Sequence, residues 1–128
     1  MTNISVVQGQ EFDWFARDSS GALALFATAG NGAVPDCVLE ALELHGSAND
    51  LIPVTGWGSP QVWASYAAAG LFAYDWHEPT GQYCRVATPG GSVLSSLMAE
   101  LVAVRLPEFS GHFSQALELS LEDLQHGA

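Results

Sequence analysis

The sequence predicts an α+β domain: a mainly antiparallel sheet of two hairpins plus a C-terminal strand, with helices packed on one face. Two observations carry this. Two stretches of alternating apolar residues are each broken by a glycine-containing turn, and three other stretches repeat their apolar residues at helical spacing. The segments follow in the order β-β-α-α-β-β-α-β, with no regular βαβ rhythm.

Phe12 to Ala16 puts Phe12, Trp14 and Ala16 on one face, with Asp13, Phe15 and Arg17 on the other. Asp18-Ser19-Ser20-Gly21 is a turn, and Ala22 to Thr28 returns as the second strand. After the loop Ala29 to Ala33, Pro35-Asp36 opens a helix with an apolar stripe of Cys37, Val38, Ala41, Leu42 and Leu44, ended by Gly46. A loop from Ser47 to Gly58 leads to Ser59-Pro60, an N-cap with proline at the first helical position. Val62, Trp63, Tyr66, Ala67 and Ala69 supply that helix's buried side, and Gly70 closes it.

Leu71 to Trp76 aligns Phe72, Tyr74 and Trp76 on one side of a strand. The turn His77 to Gln82 sends the chain back through Tyr83 to Thr88. Leu94, Leu97, Met98, Leu101 and Val102 then recur at helical spacing, up to Pro107. Alternation from Phe113 to Glu122 predicts a last strand, and the tail from Gln125 is expected to fray.

At 128 residues the chain is expected to form a single domain, 1–128, and 48% hydrophobic residues supply its core. It has no lysine and only Arg17, Arg85 and Arg105 against fourteen carboxylates, a formal charge of -11. The acids are spread along the whole chain. Such a molecule repels phosphate backbones and anionic membranes and attracts cations, so no nucleic-acid or membrane partner is expected and a basic protein partner is. Met1 to Gln10 lacks the basic and apolar regions of a signal peptide, which predicts a cytoplasmic protein. Cys37 and Cys84 are too few for a disulfide framework and are expected to be unbonded core residues.

No catalytic, metal-binding or cofactor motif in the sequence is complete. Gly30-Asn31-Gly32 lies between a strand and a helix, as a phosphate-binding turn would. It lacks the third glycine and the Gly-Lys-Ser/Thr ending, and Asp36 occupies the phosphate's place. Asp75, His77, Glu78 and Cys84 sit on or beside one hairpin without the paired spacing of a zinc site. Ser92 has no Gly-x-Ser-x-Gly elbow. His45, at a helix end, reads as a cap on carbonyls. No enzyme and no cofactor are expected.

Trp57, flanked by Gly56 and Gly58 in a loop, has two readings: a lid folded back over the core, or an anchor for a basic partner. With Asp75, Trp76 and Glu78 it makes up the expected partner-binding set.

Trp14-Phe15-Ala16-x-Asp18-x-x-Gly21-x-x-Ala24-x-Phe26, continuing to Gly30-x-Gly32-x-Val34-Pro35, resembles a group of short uncharacterised bacterial proteins. Tyr83-x-Arg85-Val86-Ala87-x-Pro89 is similar to their second hairpin. In size, acidity and hairpin-rich make-up the chain is also similar, as a class, to cytoplasmic immunity proteins that neutralise toxins. That resemblance implies a protein-binding module that occludes a basic toxin. It assigns no residue a role. The alternative expectation is a small ligand-binding or regulatory domain without catalysis, with a pocket lined by Phe72, Tyr74 and Trp76.

Overall fold

A computed structural model of the chain describes residues 12–124 and 126–127. The expectations for Met1–Gln10 and Gln125 fall outside those residues. The fold is α+β. Strands β1 (Asp13–Asp18) and β2 (Leu23–Ala27) are followed by helices α1 (Asp36–Leu39), α2 (Leu42–Asn49) and α3 (Gln61–Ala68). Strands β3 (Phe72–His77) and β4 (Gln82–Ala87) precede α4 (Ser95–Val102), and short strands β5 (Pro107–Phe109), β6 (Glu118–Leu119) and β7 (His126–Gly127) complete the sheet.

The sheet order is β6-β4-β3-β2-β1-β5-β7. Both expected hairpins form, β1 with β2 and β3 with β4, each antiparallel. The sheet as a whole is mixed, because β2 pairs with β3 and β1 with β5 in parallel. This corrects the expectation of a mainly antiparallel sheet without a βαβ connection. The chain between β2 and β3 holds three helices, long enough to return the strand in the same direction.

Helices lie on both faces, which corrects the second part of the expectation. Phe15, Leu23, Leu25, Leu71 and Ala73 pack with residues of α2, α3 and α4. Trp14, Ala16, Phe26, Phe72 and Tyr74 pack with Val38 and Leu39 of α1 and with Phe113, Leu119 and Leu124. The pocket expected beside Phe72, Tyr74 and Trp76 is filled. Trp14, Phe26 and Tyr74 are cross-strand neighbours stacked at 4.4 and 4.9 Å, and Tyr83 meets Phe26 edge-on at 5.2 Å.

The expected strand from Phe113 to Glu122 is mostly something else. Phe113–Gln115 is a turn of 3-10 helix, only Glu118–Leu119 pairs with β4, and Leu121–Leu124 is a second 3-10 turn. Side chains have taken the backbone groups that a ladder would use. The Phe113 N–H donates to Asp18 Oδ2 at 2.9 Å, and its carbonyl accepts from Arg85 Nη1 at 2.7 Å and Tyr74 Oη at 3.2 Å. His126–Gly127, expected to fray, pairs with β5.

The first helix is two helices, and Gly46 lies inside α2 rather than ending it. Leu44, assigned to the apolar stripe, is exposed, while His45 is fully buried. The Phe15 N–H donates to His45 Nδ1 at 3.1 Å, so the imidazole replaces a strand partner at the open edge of β1. His45 therefore caps no carbonyl. Its Nε2 carries the proton and, among the described residues, is buried without a hydrogen-bond partner.

Burial lowers the His45 imidazole from 6.5 to about 4. The unfolded chain takes up this proton near 6.5 and the folded chain only near 4. The stability His45 confers is thus complete above the unfolded value and lost as pH falls through this window, by about 3 kcal/mol in total for a shift of this size. Urea unfolding between about pH 7.5 and 4.5 should show the decline, and His45→Asn should flatten it while keeping an acceptor near the Nδ1 position. Equal slopes for both proteins would contradict the assignment.

Candidate functional site

The loop before α3 is anchored in the core by Ile52 and Val54, and beyond them it is held by hydrogen bonds. The Thr55 N–H donates to Ser65 Oγ at 3.0 Å, tying the loop to α3. Ser59 Oγ donates to the Gly56 carbonyl at 2.7 Å and accepts from the Gln61 N–H at 3.3 Å. Gly56 and Gly58 stand at φ 76 and 81, the left-handed region that glycine occupies without cost. Between them Trp57 is held outward with 71% of its surface exposed. That exposure removes the lid reading.

Beneath Trp57 lies a hollow of about 210 Å³ between the sheet and α3. Its floor follows from strand register. Asp13, Ala27 and Asp75 are lateral neighbours on β1, β2 and β3, so the two carboxylates flank one methyl group. Trp63 and Tyr66, one helical turn apart on α3, form the facing wall, their rings 5.8 Å apart. Phe12 and Val62 add apolar surface at the rim. Tyr66 Oη donates to Asp13 Oδ2 at 3.2 Å, and burial, with the Asp13 carboxylate beside it, raises the phenol's pKa, so it stays a donor.

The expected partner-binding set divides here. Trp57 and Asp75 line the same hollow. Trp76 and Glu78 do not join them, because alternation along β3 turns Trp76 to the opposite face. There Trp76 packs edge-on against Tyr83 at 5.0 Å, and its Nε1 donates to Glu78 Oε1 at 3.3 Å, a local hairpin contact. Sequence reasoning missed Asp13, Trp63 and Tyr66. The signal was present in the placement of Asp13 opposite Trp14, but the two α3 aromatics read as ordinary core.

The other candidates have structural roles. Gly32 packs against Tyr83 Oη and the Thr28 backbone, closer than a β-carbon allows, and the Gly32 N–H donates to the Thr28 carbonyl at 2.8 Å. The Tyr83 hydroxyl donates to the Ala33 carbonyl at 2.8 Å, so the Gly30-Asn31-Gly32 loop is fastened to the sheet. His77 Nδ1 contacts Thr80 Oγ1 at 2.9 Å within the second hairpin turn. No group of three metal-ligating side chains occurs among the described residues. Cys37 and Cys84 are free thiols, both half-buried rather than core, and burial raises both. A second hollow, of about 230 Å³, lies between Arg17, Leu23 and the Met98 and Leu101 side of α4; among the described residues its lining includes the Arg17 side chain and no carboxylate. No described helix is long and apolar enough to cross a membrane.

No protein-family model, curated protein or solved structure significantly matches the chain. The functional reading therefore rests on the geometry of the Trp57 hollow.

Proposed function

We propose that this chain is a non-catalytic binding module for a basic protein, acting in the cytoplasm by occlusion in the manner of an immunity protein. One observation carries the reading: a tryptophan with most of its surface exposed, on a loop stapled by side-chain hydrogen bonds, standing over two carboxylates. A preorganised aromatic anchor lowers the ordering cost of association. The charge of -11 supports it independently, since long-range attraction speeds encounter with a cationic surface and disfavours nucleic acid and anionic membranes. A small-ligand role is the weaker alternative. The hollow falls below the roughly 300–1,000 Å³ typical of small-molecule sites.

Immobilised protein should retain a basic partner from an extract of its native cell, and added salt should release it. Trp57→Ala bait should fail to retain that partner while unfolding at the same urea concentration as the parent. Retention that is indifferent to both salt and Trp57 would refute the proposal.

A further inference from the structure

Among the described residues, two buried side-chain atoms have no hydrogen-bond partner, His45 Nε2 and Asn49 Oδ1. The two belong together. His45 and Asn49 are four residues apart on α2, so they share one face of the helix. Helical side chains lean toward the N-terminus, which brings the Asn49 amide back over the turn that holds His45. Their chemistry is complementary as well. Nδ1 accepts the Phe15 N–H, so Nε2 carries the proton and must donate, while Oδ1 can only accept. Leaving either group unsatisfied is costly in a protein interior.

We infer that one ordered water molecule bridges these two atoms, accepting from the His45 Nε2–H and donating to Asn49 Oδ1. Only a species that accepts on one side and donates on the other satisfies both. An anion has no proton for the amide oxygen, and a metal cation or an ammonium cannot accept from the imidazole N–H. Water does both, and buried waters in proteins stand on polar groups of this kind. Neither hollow described above is lined by His45 or Asn49, so this is a separate site. His45 is fully buried but Asn49 as a whole only half-buried, so a short route joins the site to solvent.

The bridge completes a chain of hydrogen bonds from the sheet to the end of a helix. The Phe15 N–H on β1 donates to His45 Nδ1 at 3.1 Å, Nε2–H donates to the water, and the water donates to the Asn49 side chain. The Asn49 carbonyl accepts in turn from the N–H of Ile52, a core residue, at 3.1 Å. The water thus ties the edge of β1 to the last turn of α2, from which the Trp57 loop departs. It is independent of Trp57 and of any partner.

The test is a water–protein rotating-frame NOE measurement on the whole protein with 15N-labelled histidine, read at the His45 Nε2–H, together with a crystal structure that resolves waters. The ring proton should give a cross-peak to water, opposite in sign to chemical exchange. Diffraction should place one water about 2.7–3.2 Å from both atoms. Asn49→Leu removes the acceptor at similar size and should abolish the cross-peak, whereas Asn49→Asp keeps an oxygen there and should retain it. A ring proton bonded directly to Asn49 or to a backbone carbonyl, or one without a water contact, would overturn the inference. So would a cross-peak that persists in Asn49→Leu. Should the leucine variant not fold, the other two proteins decide: no water within reach of both atoms in the parent, or no cross-peak in Asn49→Asp, contradicts the bridge.

Discussion

Asp18→Ala should destabilise the fold by about 3–5 kcal/mol, because it removes all four hydrogen bonds of a buried carboxylate and leaves the buried Phe113 N–H unsatisfied. Oδ1 accepts from the Ser20 N–H at 2.9 Å, the Ser20 hydroxyl at 2.7 Å and the Ala22 N–H at 3.0 Å, closing the first hairpin turn. Oδ2 accepts from the buried Phe113 N–H at 2.9 Å, fastening a residue 95 positions away. Burial alone would raise the carboxyl, yet these donors, led by the Ser20 hydroxyl and the Phe113 N–H, hold it below 3.8. The stability it confers is therefore complete above that value and lost as pH falls below it. Asp18→Asn should fall between parent and alanine variant, since its amide keeps the Oδ1 contacts but sets an N–H₂ against the Phe113 N–H. Urea unfolding measures all three. An alanine variant within about 1 kcal/mol of the parent would contradict the role given to Asp18.

Gly70→Ala should cost about 2–5 kcal/mol, from left-handed backbone and from overpacking together. Gly70 stands at φ 89, where it ends α3: its N–H donates to the Ala67 carbonyl at 3.0 Å and the Leu71 N–H to the Tyr66 carbonyl at 3.1 Å. A β-carbon there would collide with the Ser92–Val93 backbone, which has no rotamer by which to move aside. The same crossing brings the Gly90 and Leu94 N–H groups onto the Ala67 and Ala69 carbonyls at 2.9 and 3.1 Å. The substitution thus disturbs the helix end and the segment leading into α4 at once. A variant unfolding at the parent's urea concentration would show that this close approach is not needed.

Local grammar was the legible part of this fold. Gly21 and Gly81 mark the two hairpin turns, and Ser59-Pro60 and Gly70 bracket α3, because each is decided by a few neighbouring residues. Strand direction was not local. Leu23-Ala24-Leu25-Phe26-Ala27 is apolar at every position, the pattern of a strand covered on both faces. That run signalled a central strand with helices on either side, and it was read only as one arm of a hairpin. Phe113 to Glu122 alternates as a strand should, but periodicity takes no account of the side chains of Asp18, Tyr74 and Arg85 that claim the Phe113 backbone. His45 was misplaced for the same reason, since its partner is the edge of a strand 30 residues away. Of the candidate site, Trp57 and Asp75 were legible separately. Their meeting with Asp13 depends on the β2–β3 parallel pairing, which a reading by segments does not supply.

The central claim is that Trp57 is an anchor for a partner rather than a part of the core, and the dissociation rate of the captured partner tests it most directly. Trp57→Ala should release the partner about thirtyfold faster or more, the effect of losing about 2 kcal/mol at a hot spot. Association should stay close to the parent rate, because charge steers the encounter and the substitution leaves the charge of -11 untouched. The unfolding midpoint should also stay where it was. An unchanged dissociation rate, or a loss of binding that tracks a loss of folding, would contradict the claim.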